Sequence, residues 1–176
     1  MLNTVTQQST TASQPAEKHE LQETLEHATN TAHIETRFGD VEVATDNPII
    51  FPQGLLGIVG NFEYALTDFP NEQLEQFKLL QSLNDASVSF ITLPVPLDNN
   101  LIERADLEKA AGDVGVEDFN SLVVLLVVSV HRSPHEVKLS VNTRAPLLVY
   151  LPTRAAVQYV FQNSKYKVQE LLNLGE

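Results

Sequence analysis

The sequence predicts a mainly β domain, folded as an antiparallel barrel or sandwich, with one short helix. About eight short segments alternate apolar and polar residues or are rich in β-branched side chains, and turn residues separate them. Only residues 99–113 combine helical spacing with a glycine stop. Residues 122–128 are apolar throughout, which is typical of a strand buried on both faces. Together these observations favour an all-β scaffold carrying one helical excursion.

The N-terminal segment, residues 1–32, differs in composition from the rest of the chain. It is rich in Thr, Gln and Ser, and Leu21, Leu25, Ala28 and Ala32 recur at helical spacing. Two leucines cannot hold an isolated helix in water. We therefore predict a flexible or partly helical extension, which is either solvated or docked on a partner or a second copy.

The segments that follow predict strands in order. The stretch "IETRFGDVEVATD" alternates on both sides of Gly39 and Asp40, which indicates a hairpin. Pro52 ends the extended segment "IIFP", because proline cannot donate a hydrogen bond to a strand ladder. Two more strands flank the turn at Pro70 and Asn71. Their sequences are "FEYALTDF" and "QFKLLQSL", and "SVSFITLPVP" follows them.

The second half of the domain contains the helix and the most apolar strands. In "NNLIERADLEKAAGD", Leu101, Ala105 and Leu107 fit a short helix that ends near Gly112. The buried strand "SLVVLLVVSV" comes next, and the last strand candidates are "EVKLSVNTRAPLLVYLP" and "RAAVQYVFQN". We assign residues 33–172 to the β domain and residues 173–176 to a C-terminal tail.

Charge and composition exclude several classes of function. The formal net charge is −12, which argues against direct nucleic-acid binding and against docking on anionic lipid. The chain has no cysteine, and its apolar runs are too short for a membrane helix. The first fifteen residues lack a secretory pattern, so we expect a cytoplasmic protein. A basic protein partner fits the charge.

Candidate catalytic and metal sites are weak. The glycines of "FPQGLLGIVG" lack a following Lys-Ser/Thr pair, so a phosphate-binding loop is not indicated. His131 and His135 are four residues apart, but Pro134 lies between them and strands flank them. Glu117 and Asp118 are adjacent on a polar connection and show no contrast in environment. We expect no catalytic residue, no metal site and no cofactor.

The loop "FPQGLLGIVG" is unusual because a surface turn normally carries polar residues. Its glycines permit a sharp path, and apolar groups that flank a glycine in a turn cannot all face inward. We predict that Phe51 and Leu55 point into the core. Leu56 and Ile58 are then the candidates for exposed anchors.

The connection from Asp98 to Asp118 is strongly acidic. It carries seven acids against Arg104 and Lys109. An acidic helical excursion is a reasonable docking surface for a cationic partner. Equally, it could serve only to keep the protein soluble.

Six segments together resemble the FliW family of flagellar assembly factors. In order they are "IETRFGDVEV", "IIFPQGLLG", "LLQSLND", "SVSFITLPVP", "VNTRAPLLV" and "NSKYKVQELL", and they span nearly all of residues 34–172. The resemblance implies a small, partly open β-barrel without catalytic activity. It also implies two partners, the translational repressor CsrA and flagellin, which exchange with one another. Binding of CsrA would relieve its repression of flagellin mRNA and couple flagellin synthesis to filament assembly.

The sequence departs from the family pattern at three places. The extension before Ile34 has no counterpart, Leu56 stands where the family usually has proline, and the segment after Tyr166 lacks the usual Pro and basic residues. An acidic protein suits the basic RNA-binding surface of CsrA. It could compete with RNA directly or dock elsewhere and act by coupling, and the resemblance favours coupling.

The candidate partner-binding residues come from the apolar loop, the acidic connection and two of the matching segments. Asn142 and Arg144 are expected on one face of a strand, where they either satisfy a loop or meet a partner. A small-molecule-binding barrel and a hydrolase using His131 or His135 are the competing hypotheses. The full candidate set is Phe51, Pro52, Gly54, Leu55, Leu56, Gly57, Ile58, Gln81, Ser82, Asp98, Glu103, Asp106, Asn142 and Arg144.

Overall fold

The computed structural model describes residues 30–172. The predicted helical part of the N-terminal extension and the C-terminal tail, residues 173–176, lie outside this range. The first strand already begins at Thr31, within the segment that the composition assigns to the extension.

Within residues 30–172 the chain forms eleven strands and one α-helix, which confirms a mainly β fold. The two-residue strands are too short to stand out from sequence alternation, so the count exceeds the one expected. Two single 3₁₀ turns, Glu72–Leu74 and Phe119–Ser121, complete the regular structure. The strands are β1 (Thr31–Thr36), β2 (Gly39–Ala44), β3 (Ile49–Ile50), β4 (Glu63–Asp68), β5 (Lys78–Ser82), β6 (Ser89–Val95), β7 (Leu122–Arg132), β8 (Val137–Val141), β9 (Leu147–Tyr150), β10 (Ala155–Gln158) and β11 (Glu170–Leu171), and the helix is α1 (Arg104–Asp113).

Seven strands form a barrel in the order β7-β6-β5-β4-β3-β10-β9, and pairing of β9 with β7 closes the ring. Every pairing around the ring is antiparallel except β10 with β3. That parallel seam has a single residue pair, Ala155 with Ile50. The small β-barrel expected from the sequence is therefore confirmed, and the β3–β10 seam is its thinnest point.

Strand β7 belongs to the barrel and to a side sheet at once. Its first part pairs with β6 and β9, and residues 128–132 pair with β8, which pairs in turn with β11. Leu125 and Leu126, on opposite faces of β7, are both wholly buried. The apolar run at residues 122–128 is thus buried on both faces in its central part, as expected.

The β1–β2 hairpin forms a separate two-stranded sheet packed against the barrel. Thr36 pairs with Gly39, so the connecting residues are Arg37 and Phe38. The predicted turn at Gly39 and Asp40 was wrong by two residues. Gly39 begins β2 with a φ of 118°, a conformation that its missing Cβ allows.

The interior of the barrel is filled by side chains. Phe51, Tyr64, Leu80, Leu125 and Leu147 are wholly buried in one apolar cluster. Burying one such side chain contributes about 1.5–3 kcal/mol. Packing of this kind leaves no support for a roomy ligand-binding lumen.

Helix α1 packs against the cluster that contains Val124 and Leu126 of β7. Leu107, Ala110 and Ala111 are its buried residues, and they join a cluster that includes Phe161 and Tyr166. The helix is predicted correctly, and it ends at Asp113, one residue beyond Gly112. In the part of the chain that the structure describes, no helix has the length and apolar character needed to cross a membrane.

Candidate partner-binding surface

The loop between β3 and β4, residues 51–62, leaves the barrel and returns to it. The Phe51 N–H donates to the Phe62 carbonyl at 2.8 Å, which closes the base of this loop. Phe51 and Leu55 are buried, as predicted from the sequence. Leu55 bridges to Ile58, so the chain reverses direction between them.

Three apolar side chains of this loop face solvent, and we call them the apolar rim: Leu56, Val59 and Phe62. Their exposed fractions are 67%, 93% and 46%. Ile58 was predicted to be exposed as well, but it is half-buried and packs against the cluster that contains Phe51. The bridge to Leu55 turns Ile58 toward the barrel, which explains the difference.

Glycines give the loop its path. Gly54 and Gly57 have φ values of 67° and 80°, in the left-handed region that other residues rarely adopt. These two glycines therefore shape the rim, and Pro52 beside them is exposed.

Buried polar groups hold the apolar rim in place. The buried side chains of Ser82 and Asn61 meet at 2.6 Å, and the Asn61 amide donates to the Val59 carbonyl at 3.0 Å. Asn84 accepts from the backbone N–H of Phe62 at 3.1 Å. On the other side, the Leu56 N–H donates to the Gln158 side chain at 2.9 Å. The rim is thus presented by a fixed backbone.

Gln81 and Ser82, both candidates from the sequence, are wholly buried and do not reach the surface. The Gln81 amide donates to backbone carbonyls of its own strand end and the following turn, including Ser82 and Val88. Ser82 also accepts from the backbone N–H groups of Asn84 and Asp85. Their burial is at odds with direct partner contact, and their geometry positions the turn that supports the rim.

A groove of about 670 Å³ lies beside the rim loop. Pro52 and Gln53 form one wall, and the end of α1 with the segment that follows it, residues 113–117, forms another. The β9–β10 hairpin supplies the remaining lining, including Tyr150 and Val157. Most of the lining residues are apolar, and Pro52 and Gln53 belong to the same loop as the apolar rim.

The acidic candidates near α1 are already engaged within the chain. Asp98 pairs with Arg104 at 3.1 Å, and Lys165 pairs with Glu103 at 2.5 Å and with Asp106 at 3.1 Å. The two pairs made by Lys165 could not be predicted from the sequence, because Lys165 lies about sixty residues further along the chain. These ion pairs reduce the free negative charge that α1 can offer a cationic partner.

Tyr166 fastens the C-terminal segment to α1. Its hydroxyl donates to the Asp106 carboxylate and accepts from the Glu103 N–H at 3.1 Å. The Tyr166 hydroxyl bond, followed by the Lys165 bond, lowers the pKa of Asp106. Burial raises the pKa of Tyr166, and the Asp106 bond adds to that effect. The carboxylate and the phenol therefore stay in the forms that bind one another at neutral pH.

Replacing Tyr166 with phenylalanine should lower the free energy of unfolding by about 1–2 kcal/mol at pH 7, since a hydrogen bond to a charged group is lost. A carboxyl whose folded pKa is depressed stabilises the fold above its unfolded pKa, near 4, and loses that contribution as pH falls further. The difference between wild type and variant should therefore shrink at pH 3. Urea unfolding at both pH values measures it, with Tyr150→Phe as the control. A difference that is equal at both pH values would contradict this account.

Asn142 and Arg144 do not lie in a strand, so that expectation was wrong. Strand β8 ends at Val141, and residues 143–145 form a bend. The Asn142 side chain accepts from the Ala145 N–H at 2.9 Å, and the Arg144 N–H donates to the Lys167 carbonyl at 3.0 Å. Of the two alternatives left open, the loop-satisfying one describes Asn142.

The two histidines considered for catalysis or metal binding have different environments. His131 Nε2 is 2.7 Å from the Ser140 hydroxyl, whereas His135 is exposed in the turn after β7. No group of three metal-ligating side chains occurs among residues 30–172. The pair thus gives no support to the hydrolase hypothesis.

Val59, Phe62 and the polar anchors Asn61 and Asn84 were missed by reasoning from sequence. Val59 lies between two glycines in "GIVG", which is a position that cannot easily be packed, and this signal was available. Phe62 resembled the first residue of a strand. The anchoring roles of Asn61 and Asn84 depend on contacts with residues about twenty positions away.

The sequence of the chain is similar to those of one known protein family. The sequence profile of the family described as "FliW protein" matches residues 32–172. A flagellar assembly factor FliW of Syntrophotalea carbinolica is 31% identical over 142 residues, covering 79% of this chain and 96% of the relative. That of Clostridium botulinum is 28% identical over 137 residues, covering 76% and 92%.

The fold agrees as well. A crystal structure of the flagellar assembly factor FliW superposes with a TM-score of 0.57 at 18% identity, covering 81% of this chain and 96% of that one. The match of the family profile extends from β1 through β11, so it includes both the barrel and the rim loop. The chain belongs to the FliW family of flagellar assembly factors.

Proposed function

We propose that this chain is a non-enzymatic partner-switch protein of the cytoplasm that binds the repressor CsrA and flagellin in exchange for one another. Binding of CsrA relieves repression of flagellin mRNA, and release of CsrA by flagellin restores it. Flagellin synthesis is thereby coupled to filament assembly. Membership of the FliW family supports the flagellar role.

The observation that carries the flagellin part is the apolar rim. Leu56 and Val59 expose most of their surface although the backbone beneath them is fixed by hydrogen bonds. A large apolar group held rigidly in solvent is suited to binding, because little conformational entropy is lost when a partner covers it. The terminal helices of flagellin are amphipathic, and an apolar helix face fits a rim beside a groove.

For CsrA the supporting feature is the charge of the chain as a whole. The net charge of −12 favours encounter with a basic protein. The candidate acids Asp98, Glu103 and Asp106 are paired with Arg104 and Lys165, so we assign CsrA to no single patch. A separate surface for CsrA is consistent with release by coupling rather than by shared contacts.

A titration of labelled CsrA and labelled flagellin against the full chain tests the proposal. Each partner alone is expected to bind at micromolar concentration or below. Flagellin added to the CsrA complex should displace CsrA. Absence of binding to both partners at micromolar concentration would end the proposal, and formation of a stable ternary complex would overturn the exchange.

A further inference from the structure

Within residues 30–172, one edge of strand β1 pairs with no other strand. The Thr45 N–H donates to the Asn30 carbonyl at 2.8 Å, so the even-numbered residues of β1 are in the hydrogen-bonded pairs with β2. The backbone groups of Thr31, His33 and Glu35 therefore point away from β2. Among the described residues, none donates to or accepts from these backbone groups.

This edge of the hairpin faces away from the barrel. The other edge of the hairpin, that of β2, faces the barrel, where the Thr67 hydroxyl donates to the Glu42 carbonyl at 3.2 Å. Natural proteins usually protect an exposed strand edge with proline, lysine, a bulge or a covering segment. Strand β1 contains neither proline nor lysine, and its pairing with β2 runs without a bulge over all six residues.

We propose that β1 pairs with β1 of a second copy of this chain, antiparallel and about a two-fold axis at Ile34. In this register His33 lies opposite Glu35 of the partner subunit, and the same contact recurs on the other side of the axis. In each of these pairs the two residues exchange two backbone hydrogen bonds. The reason is that the backbone N–H and C=O groups of odd-numbered residues in β1 point away from β2. Ile34, which is half-buried in the monomer, meets the partner subunit's Ile34.

Charge disfavours one neighbouring register. Centring the axis on Glu35 would place that carboxylate opposite itself. Like charges directly opposite one another destabilise a sheet, whereas opposite charges stabilise it. The second copy also reduces the repulsion between two carboxylates of the monomer, since Glu35 lies opposite Asp40 across the hairpin. A His33 side chain from the partner subunit would bring a donor beside those carboxylates.

The expected dimer is weak. Pairing through one six-residue strand buries less area than a standard protein interface, so association should be visible only at high micromolar concentration. The edge contains none of the residues of the apolar rim. This inference therefore stands independently of the proposed partner switch.

Sedimentation velocity of the full chain, from low to high micromolar concentration, measures the association. The wild type should shift from monomer to dimer. Glu35→Lys should weaken the dimer by about tenfold, because a lysine on an exposed strand edge opposes pairing with a second chain, while the monomer gains an attractive pair with Asp40. Thermal unfolding of this variant checks that the monomer is intact.

The double variant His33→Glu with Glu35→Lys places unlike charges opposite one another across the two-fold axis and is expected to restore the dimer. Because His33 lies opposite Glu42 across the hairpin, thermal unfolding also checks that the monomer of this double variant is intact. A wild type that stays monomeric at every concentration would overturn the proposal, and this includes the case in which the N-terminal extension covers the edge. A dimer that Glu35→Lys leaves unchanged would exclude the β1 edge. Loss of the dimer without recovery in the double variant would exclude the pairing of His33 with Glu35.

Discussion

Replacing Leu56 with aspartate is expected to weaken flagellin binding by roughly 30-fold or more, the effect typical of losing a central apolar contact. Leu56 exposes 67% of its surface, and its N–H, not its side chain, is tied to Gln158. The variant should therefore fold with a change in the free energy of unfolding of no more than about 0.5 kcal/mol. Calorimetric titration with flagellin measures the affinity, and urea unfolding measures the stability.

A matched control separates the rim from exposed apolar surface in general. Val137 exposes 63% of its surface on β8, which lies outside the barrel ring. Val137→Asp should leave flagellin binding unchanged. If both variants lose binding equally, the added negative charge rather than the loss of the rim contact is responsible. If Leu56→Asp binds flagellin normally, flagellin docks on another surface. An unfolded Leu56 variant would show that the side chain is needed for packing.

The longer strands were predictable because their signal is local. Alternation along β1 and β2, and the apolar run of β7, can be read from neighbouring residues. Closure of the barrel was not predictable in this way. It depends on the pairing of β9 with β7 and of β10 with β3, between segments that carry no information about one another.

The candidate site, too, was predictable only where its signal is local in the sequence. Glycine spacing and apolar composition identified the rim loop, and the inward positions of Phe51 and Leu55 followed from them. Ile58 was placed wrongly because its bridge to Leu55 depends on the path of the loop.

The ion pairs of Lys165 with Glu103 and Asp106 were out of reach for a related reason. They join segments about sixty residues apart, so the acidic connection looked more available than it is. Counting charges along a segment therefore overestimates what that segment presents to a partner.

The largest effect on stability is expected for Phe51→Ala, with a loss of about 3–5 kcal/mol in the free energy of unfolding. Phe51 is wholly buried, and its ring meets Tyr64 edge to face at a centroid distance of 5.4 Å. Truncation removes both the buried area and this aromatic contact, and it leaves a cavity beneath the rim loop. Urea unfolding monitored by circular dichroism measures the loss.

Leu56→Ala is the internal comparison, because it truncates an apolar residue of the same loop that faces solvent. Its stability should change by no more than about 0.5 kcal/mol. Equal losses in the two variants would contradict the division of the loop into a buried base and an exposed rim. A small loss for Phe51→Ala alone would mean that the loop can collapse into the space, in which case the rim is not held rigidly for a partner.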